Sequence, residues 1–363
     1  MAQQDTDVEA LLAGARDLLD SCREELAKRV IGQREMIDGL LTALIARGHI
    51  LLEGVPGLAK TLAVKTLAEI TGLDFKRIQF TPDLLPADVT GTLVWEQASG
   101  KFSVRRGPIF ANVILADEIN RAPAKVQSAL LEAMEEHQVT IGDESYPLPD
   151  PFFVLATQNP IEHEGTYALP EAELDRFLLK LVVRYPSPEE ELRIITPLNP
   201  FADGGSRKKA QKPAPEPILG PAQLEQLRSA ADAVRIDEKI REYIVAVVSA
   251  TRPSAARSSS PVRASRSPGF SRSGEGAPGG RAEREGLYRY ISFGASPRAS
   301  IALYRCCRIL ALFAGRAFVS PEDVKAAALP ALRHRLVLSY EAEADGLDPD
   351  TVVSRILAFV PVP

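Results

Sequence analysis

The stretch 49–61 constrains the fold of this 363-residue chain more than any other. An apolar run at 50–52 leads into a loop with Gly54 and Gly57, and the loop ends at Lys60, where a helical pattern starts. This order of strand, glycine loop and helix is typical of a phosphate-binding loop. The glycines let the backbone turn sharply, so that successive N–H groups point at phosphate oxygens near the positive end of the helix. The alternative is an ordinary strand-to-helix turn with an incidental lysine.

The side chains that end this loop have predicted roles. Lys60 would reach the β- and γ-phosphates of a nucleotide, and the Thr61 hydroxyl would take one position on Mg²⁺. The common motif has glycine where this chain has Ala59. A Cβ atom is tolerable there if the residue has helical φ, and we expect this at Ala59 because the helix starts there. The residues predicted to bind the nucleotide in this loop are Gly54, Val55, Pro56, Gly57, Leu58, Ala59, Lys60 and Thr61.

Composition narrows the class of protein. A formal net charge of -5 argues against bulk electrostatic binding to nucleic acid, although it does not exclude a local basic patch. The 3 cysteines have no metal-ligand spacing, which indicates a reducing compartment, and the 4 histidines are scattered, so no zinc site is expected. No apolar run approaches the roughly 18 residues of a membrane-spanning helix, and the first residues lack a secretory apolar region. We therefore expect a cytoplasmic protein.

Two acidic residues follow the apolar run 111–116. A buried parallel strand has this pattern, and open α/β sheets bind ligands at the carboxyl ends of their strands. Asp117 would hold Mg²⁺ through its water shell, and Glu118 would orient and deprotonate an attacking water. A strand that ends in Asp-Glu is by itself more often a helix start, but its place downstream of a phosphate-binding loop favours the catalytic interpretation.

Two polar residues near predicted core strands each have two interpretations. Asn159 follows the apolar run 152–156 and could bond the γ-phosphate or the lytic water, or could cap a loop through its own backbone beside Pro160. Arg176 precedes the last predicted core strand. It could reach the γ-phosphate of a neighbouring subunit, or pair with Asp175 on the surface.

Arg298 falls in the first turn of a helix predicted to begin at Pro297, after the N-cap residue Ser296. A cation is electrostatically unfavourable at a helix N-terminus, so an anionic partner is expected. That partner would be a γ-phosphate or a carboxylate.

A short apolar pair, Val30 and Ile31, precedes a glycine between two amphipathic helical patterns, at 8–28 and 36–45. In many P-loop ATPases such a pair packs on the adenine ring just before the core. The alternative is a turn that joins two helices.

The order of patterns along the chain predicts two domains. Residues 1–198 would form an α/β core with N-terminal helices, 199–221 a linker, and 222–363 a helical domain. A hairpin at 92–104, preceded by two prolines, does not fit a plain βαβ crossover and predicts an inserted element. A second hairpin is predicted at 139–148. The tract 252–290 is dominated by Ser, Gly and Pro, which predicts disorder within the helical domain.

Taken together, these stretches resemble the MoxR family of AAA+ ATPases. The stretches DEINRAP and LPEAELDRF together are quite specific to this family, whereas the phosphate-binding loop alone is not. Ala59 occurs in the family's version of the loop, and the tract 252–290 departs from the family pattern. The stretches that carry the resemblance are VIGQ (30–33), GVPGLAKT (54–61), FTPDLLPADVTG (80–91), GPIFANVILADEINRAP (107–123), ATQNP (156–160), LPEAELDRF (169–177) and GASPRA (294–299).

The resemblance implies an α/β fold, a P-loop AAA+ core with a parallel sheet, followed by a smaller all-α lid domain. It also implies that ATP and Mg²⁺ are bound. The roles it implies are Walker A for 54–61, Walker B for Asp117 and Glu118, sensor 1 for Asn159, arginine finger for Arg176 and sensor 2 for Arg298. The segment 82–105 resembles a helix-2 insert and the hairpin 139–148 a pre-sensor-1 hairpin, both of which line the pore face of the ring in such proteins.

The function implied is that of a chaperone-like ATPase. Such proteins mature or assemble other proteins and metal centres together with a von Willebrand factor A domain protein, and a homo-hexamer is expected. Alternatives are a nucleic-acid remodelling AAA+ ATPase, which the acidic balance opposes, and a metal-chelatase motor subunit. A further alternative is a scaffold that binds ATP and barely turns it over.

Overall fold

The computed structural model describes residues 2–161, 166–196, 217–253 and 286–363. Of the predicted linker 199–221, residues 199–216 lie outside the described residues. Of the predicted disordered tract 252–290, residues 254–285 lie outside them. Contacts divide the chain into two units, residues 1–233 with 312–317 and residues 234–311 with 318–363. The first unit contains the predicted core, and the second contains most of the predicted helical domain.

A five-stranded sheet lies at the centre of the first unit, in the order β2-β5-β8-β1-β9, and every neighbouring pair is parallel. Its inner strands are runs of buried apolar residues, because helices cover both faces of such a sheet. The parallel α/β core is therefore confirmed. The strands of the unit are β1 (His49–Glu53), β2 (Phe75–Gln79), β3 (Gly91–Glu96), β4 (Lys101–Arg106), β5 (Val113–Asp117), β6 (Gln138–Ile141), β7 (Glu144–Pro147), β8 (Phe153–Gln158) and β9 (Phe177–Val182).

The longer helices that pack on the sheet bury an apolar face, as α2 (Arg34–Ile45) shows. Leu40 and Leu41 of the second helix are fully buried, as the spacing of apolar residues predicts. In the described ranges, no helix is long and apolar enough to cross a bilayer. The helices are α1 (Ala2–Ala27), α2 (Arg34–Ile45), α3 (Lys60–Thr71), α4 (Pro86–Thr90), α5 (Ala124–Glu136), α6 (Glu171–Leu174), α7 (Pro188–Ile195) and α8 (Pro221–Ala233).

Two antiparallel hairpins interrupt the alternation of strands and helices. Strands β3 and β4 pair from Gly91 with Arg106 to Glu96 with Lys101, slightly beyond the predicted 92–104. On this hairpin the rings of Trp95 and Phe102 are half-exposed or more and lie 5.0 Å apart. Strands β6 and β7 form the second predicted hairpin. The predicted placement of both hairpins at a pore remains a prediction.

Helix α8 belongs to the first unit, whereas the predicted division placed residues from 222 onward in the second domain. The reason is packing, since α8 contacts α1 and α2. Leu224, Leu227 and Ala230 are its buried face. An amphipathic pattern shows that a helix has a buried face, but it does not show which neighbour covers that face.

The second unit is mainly helical. Its helices are α9 (Glu238–Ser249), α10 (Pro297–Phe313, to residue 311 in this unit), α11 (Pro321–Leu332), α12 (Tyr340–Ala344) and α13 (Pro349–Phe359). The predicted all-α lid also contains one short antiparallel pair, β10 (Ile291–Phe293) with β11 (Val337–Leu338). The Ala295 N–H donates to the Thr251 hydroxyl at 2.9 Å, so the two sides of the predicted tract are adjacent.

Candidate active site

The predicted phosphate-binding loop joins the carboxyl end of β1 to α3, which begins at Lys60. Because the sheet is parallel, β5 and β8 end at the same edge. Gly57 has φ +88, a conformation that glycine adopts readily. At Gly54 a Cβ atom would lie 2.9 Å from the carbonyl oxygen of Val183, so the close approach of two backbones requires glycine there. The loop thus depends on both predicted glycines.

Ala59 does not have the predicted helical φ. Its φ is +57 and its ψ is +19, in the left-handed region, so the prediction was wrong. The reason is that Ala59 is the N-cap residue: its carbonyl accepts the first helical bond, from Ala63, and the helix starts one residue later. This conformation costs an alanine about 1–2 kcal/mol. Backbone strain of this kind is concentrated at functional sites.

Lys60 is the basic residue of the loop. Its Nζ donates a hydrogen bond to the carbonyl oxygen of Gly54. Burial lowers the pKa of Lys60, while the negative charges of Asp117, Glu118 and Glu53 oppose that shift. The three carboxylates are therefore close enough to act on the ammonium group, and the predicted lysine and acids lie in one site.

Asp117 is the last residue of β5, and its two carboxylate oxygens have separate partners. Oδ1 accepts a hydrogen bond from the Thr157 hydroxyl at 2.7 Å. Oδ2 accepts from Arg77, whose Nε lies 3.0 Å away and whose Nη2 is also within hydrogen-bond distance. The side chain is 14% exposed. The carboxylate is thus oriented at the sheet edge, and each oxygen has more than one lone pair, so it can also bind a hydrated cation.

Glu118 turns the chain out of the sheet. Its backbone has φ +57 and ψ +50, and its N–H donates to the Thr157 hydroxyl at 2.8 Å. Oε2 accepts from Gln79 Nε2 at 2.8 Å and lies 2.9 Å from Arg121 Nη1. These contacts fix both the backbone and the carboxylate of Glu118, the predicted catalytic base.

Sequence reasoning missed Thr157, whose hydroxyl links Asp117 and Glu118. The residue is 1% exposed. The available signal was its place at the carboxyl end of an apolar strand, two positions before Asn159. The polar β2 side chains that hold the acids were also missed, because their alternation is typical of an exposed strand face.

Replacing Thr157 with valine is expected to lower the free energy of unfolding by about 1–3 kcal/mol. The substitution leaves the partly buried N–H of Glu118 without its partner and removes a donor from the Asp117 carboxylate. Chemical denaturation measures the change. Thr157→Ser keeps the hydroxyl and serves as the matched control, expected to be clearly more stable than the valine variant. Equal stability of the two variants would show that the hydroxyl has no such role.

Asn159 directly follows β8, the strand between β5 and β1 in the sheet. It is 6% exposed. Its Oδ1 accepts from the Ile161 N–H at 3.2 Å, which is the loop-capping interaction named above. That bond uses an acceptor of the side-chain amide and neither of its two donors. A contact from the amide nitrogen to a phosphate therefore remains compatible with the structure.

Arg176 lies just before β9, on the edge of the sheet. Its Nε is 2.9 Å from Glu135 Oε2 on α5, so the observed ion pair is not the Asp175 pair of the alternative interpretation. Strand β9 is 6 residues long and its far end is level with Glu53. At about 3.3 Å per residue, Arg176 is one strand length, roughly 20 Å, from the phosphate-binding loop of its own chain.

Arg298 belongs to the second unit, in the first turn of α10. Its N–H donates to the Ser296 hydroxyl at 3.1 Å, in agreement with the predicted N-cap. The side chain is exposed. Its role at a phosphate stays a prediction.

The predicted adenine-contacting pair lies in the turn between α1 and α2. Val30 is 1% exposed and Ile31 is partly buried. In the same turn, Gln33 Nε2 donates to the carbonyl oxygen of Arg184 at 3.0 Å. Val183, the residue before Arg184, packs directly against the backbone of Gly54. The turn therefore lies beside the phosphate-binding loop. This position agrees with an adenine contact, which stays a prediction.

Thr61 and Asp117 are the two protein groups predicted to hold Mg²⁺ at this site. Within the described part of the chain, no group of three or more His, Cys, Asp or Glu side chains could hold a metal ion. Mg²⁺ in nucleotide sites commonly has one or two protein ligands and takes the rest from water and phosphate. Thr61 and Asp117 fit that requirement.

Comparisons with known proteins agree with this geometry. A family model described as an ATPase family associated with various cellular activities (AAA) matches residues 49–179. A second, described as an AAA lid domain, matches residues 288–356.

Three relatives match nearly the whole chain. Chaperone MoxR1 of Mycobacterium tuberculosis is 44% identical over 97% of this chain and 84% of its own length. The uncharacterised protein YeaC of Bacillus subtilis is 41% identical over 95% of both chains. A crystal structure of a protein from Cytophaga hutchinsonii is 42% identical, covers 99% of both chains and has a TM-score of 0.81.

Proposed function

The chain belongs to the MoxR family of AAA+ ATPases, and we propose that it hydrolyses ATP to ADP and phosphate in a ring of identical subunits. The observation that carries the proposal is the convergence of Lys60, Asp117 and Glu118 at the sheet edge that holds the phosphate-binding loop. Family membership supports a nucleotide-binding site there.

The catalytic roles follow from the positions of the side chains. Lys60 would exchange its bond to the Gly54 carbonyl for the β- and γ-phosphates. Thr61 and Asp117 would hold Mg²⁺, which neutralises charge on the phosphates when bound. Glu118 would take the proton of the attacking water, with its carboxylate oriented by Gln79 and Arg121.

The site is proposed to be shared between subunits. Arg176 lies about one strand length from its own phosphate-binding loop, so it cannot reach a γ-phosphate bound there. From the edge strand β9 it could reach the site of a neighbouring subunit, where an arginine stabilises charge in the transition state. Asn159 and Arg298 are proposed to contact the γ-phosphate as well.

The assembly and cellular role are proposals that rest on relatives. We propose a homo-hexamer with a chaperone-like role in the maturation or assembly of other proteins or metal centres, together with a von Willebrand factor A domain protein. The name of the relative Chaperone MoxR1, 44% identical to this chain, supports the chaperone-like part.

Steady-state phosphate release by the wild-type protein tests the proposal. Activity per subunit is expected to rise with protein concentration, because each site needs two subunits, and to fall to background when EDTA removes Mg²⁺. Activity that is independent of concentration would contradict the shared site. Absence of Mg²⁺-dependent hydrolysis at every concentration would contradict the ATPase itself.

A further inference from the structure

A cavity of about 260 Å³ lies in the first unit, at the amino-terminal edge of the central sheet. Gly48, which precedes β1, and Phe153, the first residue of β8, line it. Strand β1 separates this edge from the phosphate-binding loop, and its 5 residues span about 16 Å. The cavity is therefore separate from the nucleotide site.

Most of the cavity wall is apolar. The side chains of Leu44, Leu148 and Phe153 that line it are all at least nine-tenths buried. The six apolar lining residues are Leu44, Leu148, Pro149, Pro151, Phe152 and Phe153. Ligand pockets commonly combine such a wall with a small number of polar groups that orient the ligand.

Arg228 of α8 is the buried charge in this wall, with 9% of its surface exposed. Its contacts are long: Nη2 lies 3.4 Å from the carbonyl oxygen of Leu44, and Nη1 lies 3.5 Å from Glu225 Oε2. Within the described residues, its Nε has no hydrogen-bond partner. A buried guanidinium with five donors is therefore incompletely paired, which is costly in a low-dielectric site.

The carboxylates of Glu225 and Asp150 balance the charges of Arg47 and Arg228 in number, but the contact of Arg228 with Glu225 is long, at 3.5 Å. The same Glu225 oxygen also lies 3.2 Å from Nη2 of Arg47, so two arginines share one acceptor. Asp150 and Arg47 are exposed residues that also line the cavity, and they carry opposite charges. Burial and the charge of Arg47 lower the pKa of Arg228, while Glu225 and Asp150 oppose the shift. An added oxyanion would stabilise Arg228.

We propose that this cavity binds the carboxylate of a small acid with a compact apolar body. The carboxylate would accept hydrogen bonds from the two Nη groups of the Arg228 guanidinium, whose present contacts are long, because this group matches planar oxyanions in a bidentate geometry. The apolar wall would cover the body of the ligand. The inference does not depend on the ATPase proposal.

Calorimetric titration of the full-length protein with benzoate and with benzyl alcohol tests the site. The two probes have similar apolar bodies, but only benzoate offers a carboxylate. Wild-type protein is expected to bind benzoate roughly 10- to 100-fold more tightly than benzyl alcohol, as a charge-assisted hydrogen bond implies. Equal binding of the two probes, or no binding of benzoate, would overturn the proposal.

Arg228→Met removes the charge and keeps most of the side-chain length, so it is expected to lose that preference for benzoate. Arg241→Met is the matched control, since Arg241 also pairs with a glutamate three residues earlier but is 53% exposed in the second unit. It should bind benzoate like the wild type. Retained preference in a folded Arg228→Met variant would refute the site.

A crystal of the wild-type protein soaked in benzoate gives a test that needs no variant. The expected result is a carboxylate against Arg228. Benzoate bound only elsewhere, or absent from this cavity, would overturn the proposal.

Discussion

Replacing Glu118 with glutamine is expected to slow ATP hydrolysis by about 10²–10⁴-fold and to leave the affinity for ATP nearly unchanged. The amide cannot take a proton from the attacking water. Its carbonyl oxygen can still accept from Gln79 and Arg121, so the geometry around the site is preserved. Phosphate release measures the rate, and titration with a fluorescent ATP analogue measures the affinity.

Glu132→Gln is the control, because Glu132 is an exposed residue of α5 and the substitution makes the same change of charge. It should hydrolyse ATP like the wild type. If Glu118→Gln retained most of the wild-type rate, Glu118 would not be the base. If the wild type and the Glu118→Gln variant both bound ATP and hydrolysed it equally slowly, the protein would instead be a nucleotide-dependent scaffold.

Replacing Arg176 with alanine is expected to reduce hydrolysis by about 10³–10⁵-fold, the range that arginine fingers contribute in GTPases. The loss comes from charge on the transferring phosphoryl group of the neighbouring subunit, so each subunit should still bind ATP. Loss of the partly exposed ion pair with Glu135 should change the free energy of unfolding by about 0–1 kcal/mol. The fold should therefore survive the substitution.

Arg193→Ala serves as the control for this prediction. Arg193 is an exposed arginine of α7. Its replacement removes the same charge and leaves the proposed finger, Arg176, unchanged. Its activity should equal that of the wild type. An Arg176→Ala protein with wild-type activity would show that the Glu135 pair is the whole role of Arg176.

The parts of the site that could be predicted from sequence are those in which local pattern and chemistry coincide. The apolar run before Asp117 identified a buried strand, and the two acids after it marked the ligand-binding edge of a parallel sheet. Lys60 was identified by its loop and by the helix that follows. In each case the decisive residues are neighbours in sequence.

The features that sequence reasoning missed depend on residues that are distant in the chain. Thr157 meets Asp117 across 40 residues, through the pairing of β8 with β5. Arg176 meets Glu135 on another element, where the alternative to the arginine-finger prediction had named the adjacent Asp175. The prediction of a helical φ at Ala59 was wrong for a different reason. The turn into α3 imposes a left-handed backbone, which alanine's preference for helix does not predict.

Mixing the two inactive variants tests a shared active site most directly. A complete site forms where an Arg176→Ala subunit, which keeps Glu118, receives Arg176 from a neighbouring Glu118→Gln subunit. The reverse order gives a site that lacks both residues. In an equimolar mixture that exchanges subunits, about a quarter of the interfaces in a head-to-tail ring would have the first order. Activity well above that of either variant alone, up to about a quarter of the wild-type rate, is the predicted result. A mixture as inactive as its components, formed under conditions in which subunit exchange is demonstrated, would contradict a site shared between subunits.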